Sequence, residues 1–189
     1  MGEAKQKHRA MAQAACRCGS EKLGRECCWR EWGWHKSPAV INLTDTGYSG
    51  SHPRCYLNAL NSCSEKLSRE HVISATVLKA INQDAIDVSG FPWIKAGETK
   101  RVGVSSLVAN CLCAAHNHVL SPLDAVAGQF YRALQSGLGK EPGKQQRYLF
   151  SGHDVERWLL KTLAGMAASR NLSSQHERLP GLFNNEISV

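Results

Sequence analysis

Long apolar runs are missing from these 189 residues. The longest stretch free of Asp, Glu, Lys and Arg, Val102 to Leu123, carries Asn110, His116, Asn117 and His118 near its centre, and a bilayer does not accept such side chains at that depth. No membrane span is expected. No secretory leader is expected either, since Lys5, Lys7 and Arg9 are followed only by Ala10 to Ala15, broken at Gln13, before the cysteines begin. The expected compartment is therefore cytoplasmic, where thiols stay reduced and clustered cysteines hold metal rather than each other. Cysteine is too sparse for a chain that lives on disulfides, with eight in 189 residues. Acidic residues are in short supply: 16 against 23 Lys and Arg leave a net charge of +7. The resulting pI near 9.1 favours polyanions, nucleic acid first. Internal repeats and low-complexity segments are absent too. What is present, 42% hydrophobic and 21% charged residues, belongs to one or two folded domains and excludes disorder for most of the chain.

The first 36 residues stand apart, with eight Lys and Arg against four acids and with Trp29, Trp32 and Trp34 close behind the cysteines. This reads as a small separate module. Thr44 to Pro53, rich in Gly, Ser and Thr, marks a loop or linker before a second region opening at Cys55. In that region Leu67 to Ile73 is expected to be extended and Ser74 to Asn82 a short helix with Val77, Leu78 and Ile81 on one side. Gly90 and Pro92 interrupt the chain. A second extended element is expected from Val102 to Leu112, leading into Cys113. Ser121-Pro122-Leu123-Asp124 has the chemistry of a helix start, an N-cap serine followed by proline at the first helical position. Leu123, Val126, Ala127, Phe130, Tyr131 and Leu134 then share a face, and Gly137 and Gly139 are expected to stop the helix. A last helix from about Asp154 would place Val155, Trp158, Leu159, Thr162, Leu163 and Met166 together.

Cys16-x-Cys18, eight further residues and the adjacent Cys27-Cys28 supply four thiolates, one tetrahedral zinc site's worth. The alternative, disulfides or free thiols, is disfavoured because vicinal cysteines bridge each other poorly and the expected compartment is reducing. The stretch CRCGSEKLGRECC resembles the SEC-C motif, although Glu21 and Trp29 stand where that motif commonly has Gly. The resemblance implies a structural, non-catalytic zinc knuckle that docks on a partner, and the local excess of Lys and Arg suits a ribosome or nucleic-acid surface, with a protein as the other candidate.

Cys55, Cys63, Cys111 and Cys113 remain, with His116 three residues after the last. Cys113-x-x-His116 has ligand spacing, and Cys55 with Cys63, brought back by a turn over Asn58 to Ser62, is the natural other half of a second zinc site. Cys111 is read as a buried spare. The competing reading is scattered core cysteines beside a surface histidine.

Glu70-His71 within SREHVIS, followed by a zinc half-site and Asn117 in LCAAHNHVLSPLD, resembles the HNH or His-Me finger nucleases, most closely their recombination-endonuclease-type branch. The likeness spans Cys55 to Leu134. The wide Cys55–Cys63 spacing, His116 in place of a cysteine and Glu70 in place of Asp or His depart from the commonest pattern. The resemblance implies a zinc-braced ββα site with His71 as general base and with Glu70 and Asn117 holding a catalytic divalent ion.

Elementary chemistry agrees with that division of labour. Phosphodiester hydrolysis needs a base that titrates near neutrality, which imidazole supplies. It also needs a cation where negative charge builds on the non-bridging and leaving oxygens. Carboxylate and amide oxygens are hard ligands suited to Mg²⁺, whereas thiolates stay with zinc. Asp124 is a further candidate ligand for the divalent ion, its alternative being a capping carboxylate in a first helical turn. His71 has the alternative of an ordinary strand histidine, and His118 is expected to be exposed. His8, His35, His52, His153 and His176 have no partners in sequence. Arg54, Lys66 and Arg69 are candidate phosphate contacts.

The expected fold class is α+β: a zinc-knuckle module and linker over 1–45, a zinc-braced ββα domain over 54–136 and a helical extension over 137–189. Two functions follow. The first is a metal-dependent endonuclease with two structural zinc ions and a catalytic Mg²⁺ or similar ion, acting on nucleic acid, DNA foremost. The second is a non-catalytic zinc adaptor that binds nucleic acid or a protein.

Overall fold

In the computed structural model, which describes residues 2–81, 84–138 and 147–169, the architecture is α+β. The N-terminal part contains α1 (Gly2–Gln13) and the two-residue strands β1 (Trp29–Arg30) and β2 (Gly33–Trp34). After an irregular stretch come β3 (Glu70–His71), α2 (Ala75–Ala80), β4 (Ala85–Ser89), β5 (Thr99–Gly103) and β6 (Val108–Ala109). Two long helices follow, α3 (Ala114–Leu138) and α4 (Gly152–Ala168). Among the described residues no helix is long and apolar enough to cross a membrane.

The expected second extended element divides. Its first part, β5, forms a hairpin with β4, Ala85 opposite Gly103 and Ser89 opposite Thr99, and β4 carries no strong signal because Val88 alone among its side chains is buried. A tight turn over Val104–Ser106 then re-aims the chain. Beyond it β6 pairs antiparallel with β3, Glu70 opposite Ala109 and His71 opposite Val108. Leu67 bridges to Cys113, and the Ser68 amide donates to the Leu112 carbonyl at 2.9 Å. The expected extended segment Leu67 to Ile73 thus joins its partner along most of its length, although the ladder itself holds only Glu70 and His71.

The start of α3 differs from expectation. The helix begins at Ala114, so Pro122 lies inside it and Ser121 is not an N-cap. Cys113 nucleates the first turn: its Sγ accepts from the His116 amide, while Ser64 Oγ accepts from the Ala115 amide at 3.1 Å. Proline at 122 removes the amide that would have bonded to the His118 carbonyl. Ser121 Oγ donates to that same carbonyl at 2.7 Å, so the freed acceptor is satisfied and the helix continues. The side chains of Leu123 and Ala127 are buried as expected, but Leu134 is exposed. Gly139 lies outside the described residues, as do Asn82 and His176.

Helix α4 is capped by Ser151, whose Oγ accepts from the Asp154 amide at 3.3 Å. Its buried face carries Asp154, Trp158, Lys161, Ala164 and Gly165, while Leu159 and Leu163, expected inside, are exposed. Polar anchors set that phase. Asp154 accepts from the Ala39 amide at 3.0 Å, Arg157 donates to the Ala39 carbonyl at 2.9 Å, and Trp158 Nε1 donates to Ser74 Oγ at 2.7 Å. The core gathers Leu57, Val77, Leu112, Leu120, Leu123, Ala127 and Trp158 around Cys55, Cys63 and Cys113. Helix α2 approaches α3 closely because position 128 is glycine; a Cβ there would stand 2.7 Å from Thr76 Cβ.

Candidate metal centres and a buried carboxylate pair

All eight cysteines are free, and seven of them fall into two clusters. Cys16, Cys18, Cys27 and Cys28 present sulfurs that all lie within 4.8 Å of one another. Neighbouring sulfurs are 3.4 Å apart for Cys16–Cys18 and 3.5 Å for both Cys18–Cys27 and Cys27–Cys28. A tetrahedral zinc ion with bonds of about 2.3 Å sets its sulfurs about 3.8 Å apart, so the set fits that ion. The loop is folded by its own backbone, Cys16 donating to the Lys22 carbonyl and Gly24 to the Ala14 carbonyl, both at 2.8 Å. Glu21 has φ of 62°, a left-handed conformation that glycine adopts without steric cost. Gly24 is equally constrained: a Cβ would lie 2.8 Å from the Met11 carbonyl oxygen and 2.9 Å from the Trp34 ring. Trp29 and Trp34 pack edge to face behind the cluster, with Arg17 over the Trp34 ring.

The thiols are electrostatically unequal. Burial pushes Cys16 and Cys28 up. For Cys18 burial acts upward but is outweighed by the Ser20 hydroxyl and the Cys16 and Cys27 thiols, and the group falls to about 6. A thiol ionised at neutral pH is the form that binds metal.

The second cluster is Cys55, Cys63, Cys113 and His116, all buried, with ligand atoms again within 4.8 Å. His116 turns Nδ1 inward, 3.2 Å from Cys113 Sγ, 3.5 Å from Cys55 Sγ and 3.7 Å from Cys63 Sγ. Its Nε2 faces the Leu43 carbonyl at 3.1 Å and Ser62 Oγ at 3.0 Å, and Ser62 itself donates to Leu43. A carbonyl on the far ring nitrogen fixes the tautomer that leaves Nδ1 free to ligate. Burial lowers the His116 pKa and so keeps the ring neutral. Burial raises Cys55 to about 12, whereas for Cys113 amide and hydroxyl donors from His116 and Ser64 overcome burial and lower it. Thus two groups of soft donors fit zinc. Cys111 stands outside both, buried and pushed up to about 11 by its surroundings, first by desolvation and then by Glu70.

Of the residues expected to carry chemistry, Glu70 and Asp124 meet at one ammonium, whereas His71, the next residue along β3, alternates to the other face of the strand. Glu70 of β3 points inward, its side chain 9% exposed, and its Oε1 is 2.5 Å from Lys161 Nζ. The same ammonium is 2.7 Å from Asp124 Oδ2. Ser74 Oγ donates to the other Asp124 oxygen, so Asp124 is a tertiary anchor rather than the capping carboxylate of a new helix. Burial raises the Glu70 pKa, Lys161 opposes it and Asp124 adds to it. Lys161 is only 4% exposed. Nothing in the sequence singles it out, because a lone lysine on an amphipathic helix ordinarily faces water.

His71 is half-buried on the next position of β3, and its pKa is lowered by burial and by Arg69, with Asp124 acting the other way. Asn117 is half-buried in the first turn of α3, beside His116. It lies seven residues before Asp124, roughly 10 Å along the helix axis, so these two short side chains do not share one ion. Among the described residues no hydrogen bond joins the Asn117 amide to Glu70 or His71. His118 is exposed, as expected, and so are Arg54, Lys66 and Arg69. Comparison with protein-family models, with curated proteins and with solved structures gives no match for this chain.

Proposed function

We propose that this protein is a metal-dependent endonuclease, hydrolysing phosphodiester bonds of nucleic acid, DNA foremost, on a zinc-braced ββα scaffold of the His-Me finger kind. The observation that carries the reading is that Glu70 on β3 and Asp124 on α3, remote in sequence, aim carboxylate oxygens at one cation. The paired β3 and β6, the entry to α3 through Cys113, and the buried Cys55/Cys63/Cys113/His116 set hold these elements in that relation.

In this reading His71, neutral at physiological pH because burial and Arg69 depress its pKa, takes the proton of the attacking water. Glu70 and Asp124 are the oxygen ligands that would hold a divalent ion, and Asn117 would present its amide to the substrate phosphate. The ion, when bound, supplies positive charge for the non-bridging and leaving oxygens. Arg54, Lys66 and Arg69, all exposed, would neutralise neighbouring phosphates, so binding should weaken steeply with salt. The knuckle of Cys16, Cys18, Cys27 and Cys28 would act as a SEC-C-like docking module for a protein or ribosomal surface.

The adaptor reading is favoured by a separate observation, the ammonium of Lys161 already compensating the carboxylate pair. Plasmid nicking with Mg²⁺ decides between the two. An endonuclease nicks as wild type and loses at least about two orders of magnitude in rate as His71→Ala, the usual worth of a positioned acid or base. Equal cutting by both proteins would remove His71 from the mechanism, and no cutting by the wild type would leave the adaptor.

A further inference from the structure

We infer that Lys161 is an internal guard of the Glu70–Asp124 pair, its ammonium occupying the position that a divalent cation needs and yielding it only by swinging out of the site. The inference rests on the endonuclease reading for the identity of the site, but on separate geometry for the guard. Lys161 Nζ lies 2.5 Å from Glu70 Oε1 and 2.7 Å from Asp124 Oδ2, a single cation between two carboxylates. Two anions held this close in a dry environment repel each other unless a cation stands between them. With both carboxylates ionised, the single charge of Lys161 leaves the trio net negative, whereas a divalent ion balances both. The site therefore retains an electrostatic demand that the lysine does not fully meet.

Motion of the side chain alone suffices. Helix α4 is held independently of Lys161 by Asp154 on the Ala39 amide and by Arg157 on the Ala39 carbonyl. The four-carbon stem of lysine is flexible and can carry its head toward water while the helix stays docked. Asp124, 21% exposed at its side chain, opens the pair toward solvent on that side. The guarded state lowers apparent cation affinity by the fraction of molecules whose lysine is displaced.

Mn²⁺ binding to the full, two-zinc chain, followed by electron paramagnetic resonance, tests the guard without reference to catalysis. Lys161→Met removes the charge at similar length, and Lys161→Gln keeps a donor toward both carboxylates should the methionine variant not fold. Both should bind one Mn²⁺ at least about tenfold more tightly than wild type, the gain vanishing when Glu70→Gln is added, and Lys161→Arg should bind no more tightly than wild type. In the wild type, Mn²⁺ at saturating concentration should make Lys161 accessible to an amine-reactive label. The guard is overturned if the folded neutral variants bind Mn²⁺ no more tightly than wild type, if Lys161→Arg gains equally, or if Lys161 stays protected while Mn²⁺ binds through Glu70. A gain in Mn²⁺ affinity with no nicking by any variant supports the guard and defeats the endonuclease reading, so the two fail separately.

Discussion

Glu21 and His71 show how single side chains answer to their surroundings. Glu21 adopts a left-handed backbone conformation in the middle of the thiol loop, a region that disfavours any residue with a Cβ. Glu21→Gly should stabilise the N-terminal module by up to about 1 kcal/mol, and slower zinc release to a chelator would check it. For His71 the sign follows from linkage. Its pKa is depressed in the fold, by burial first and then by Arg69, so the stability it contributes is present above the ordinary value of 6.5 and is lost as pH falls through the lowered one. Urea midpoints measured from neutral pH down to about pH 5 should fall, and fall less in His71→Gln. Equal slopes would mean that His71 is not buried in its neutral form. Both clusters that could hold a metal ion were legible in these residues, because cysteine spacing reflects how a short loop can wrap one ion. Lys161 was not legible: its burial depends on two carboxylates brought from other elements, a relation no local pattern records.

Helices α3 and α4 were foreseen with one apolar face each, but their phase and limits were set by tertiary bonds. Ser121-Pro122 carries the spelling of a helix start, yet Cys113, whose Sγ accepts from the His116 amide, starts the helix earlier, and Ser121 Oγ covers the carbonyl that Pro122 leaves open. Apolar periodicity placed Leu159 and Leu163 inside α4, whereas Asp154 and Lys161 turn that face to their polar partners. The β4–β5 hairpin escaped notice because it buries little. The α2–α3 contact offers the sharpest test among the elements. Gly128→Ala would push a methyl group into Thr76, at 2.7 Å from its Cβ, and should destabilise the fold by about 1–3 kcal/mol in thermal or urea unfolding. Since Thr76 also donates to the Asp124 carbonyl, the same substitution should disturb the carboxylate pair.

Across the molecule the segments read from sequence as knuckle, core and helical extension are tied together by long-range bonds. Leu43, on the knuckle side of the expected linker, orients His116, and Ala39 anchors α4 through Asp154 and Arg157. Removing the second metal ion should therefore loosen the attachment of the N-terminal segment as well as the ββα unit. Everything proposed for function depends on those thiols gathering ions rather than bridging or standing idle. Native mass spectrometry of the purified protein addresses this directly. Wild type should carry two zinc ions per chain, Cys28→Ser and Cys113→Ser one each, and Cys111→Ser two, because Cys111 lies outside both clusters. A wild-type chain with no zinc and with masses lowered by disulfide formation, or a Cys111→Ser chain that loses an ion, would contradict the zinc-braced site and the chemistry built upon it.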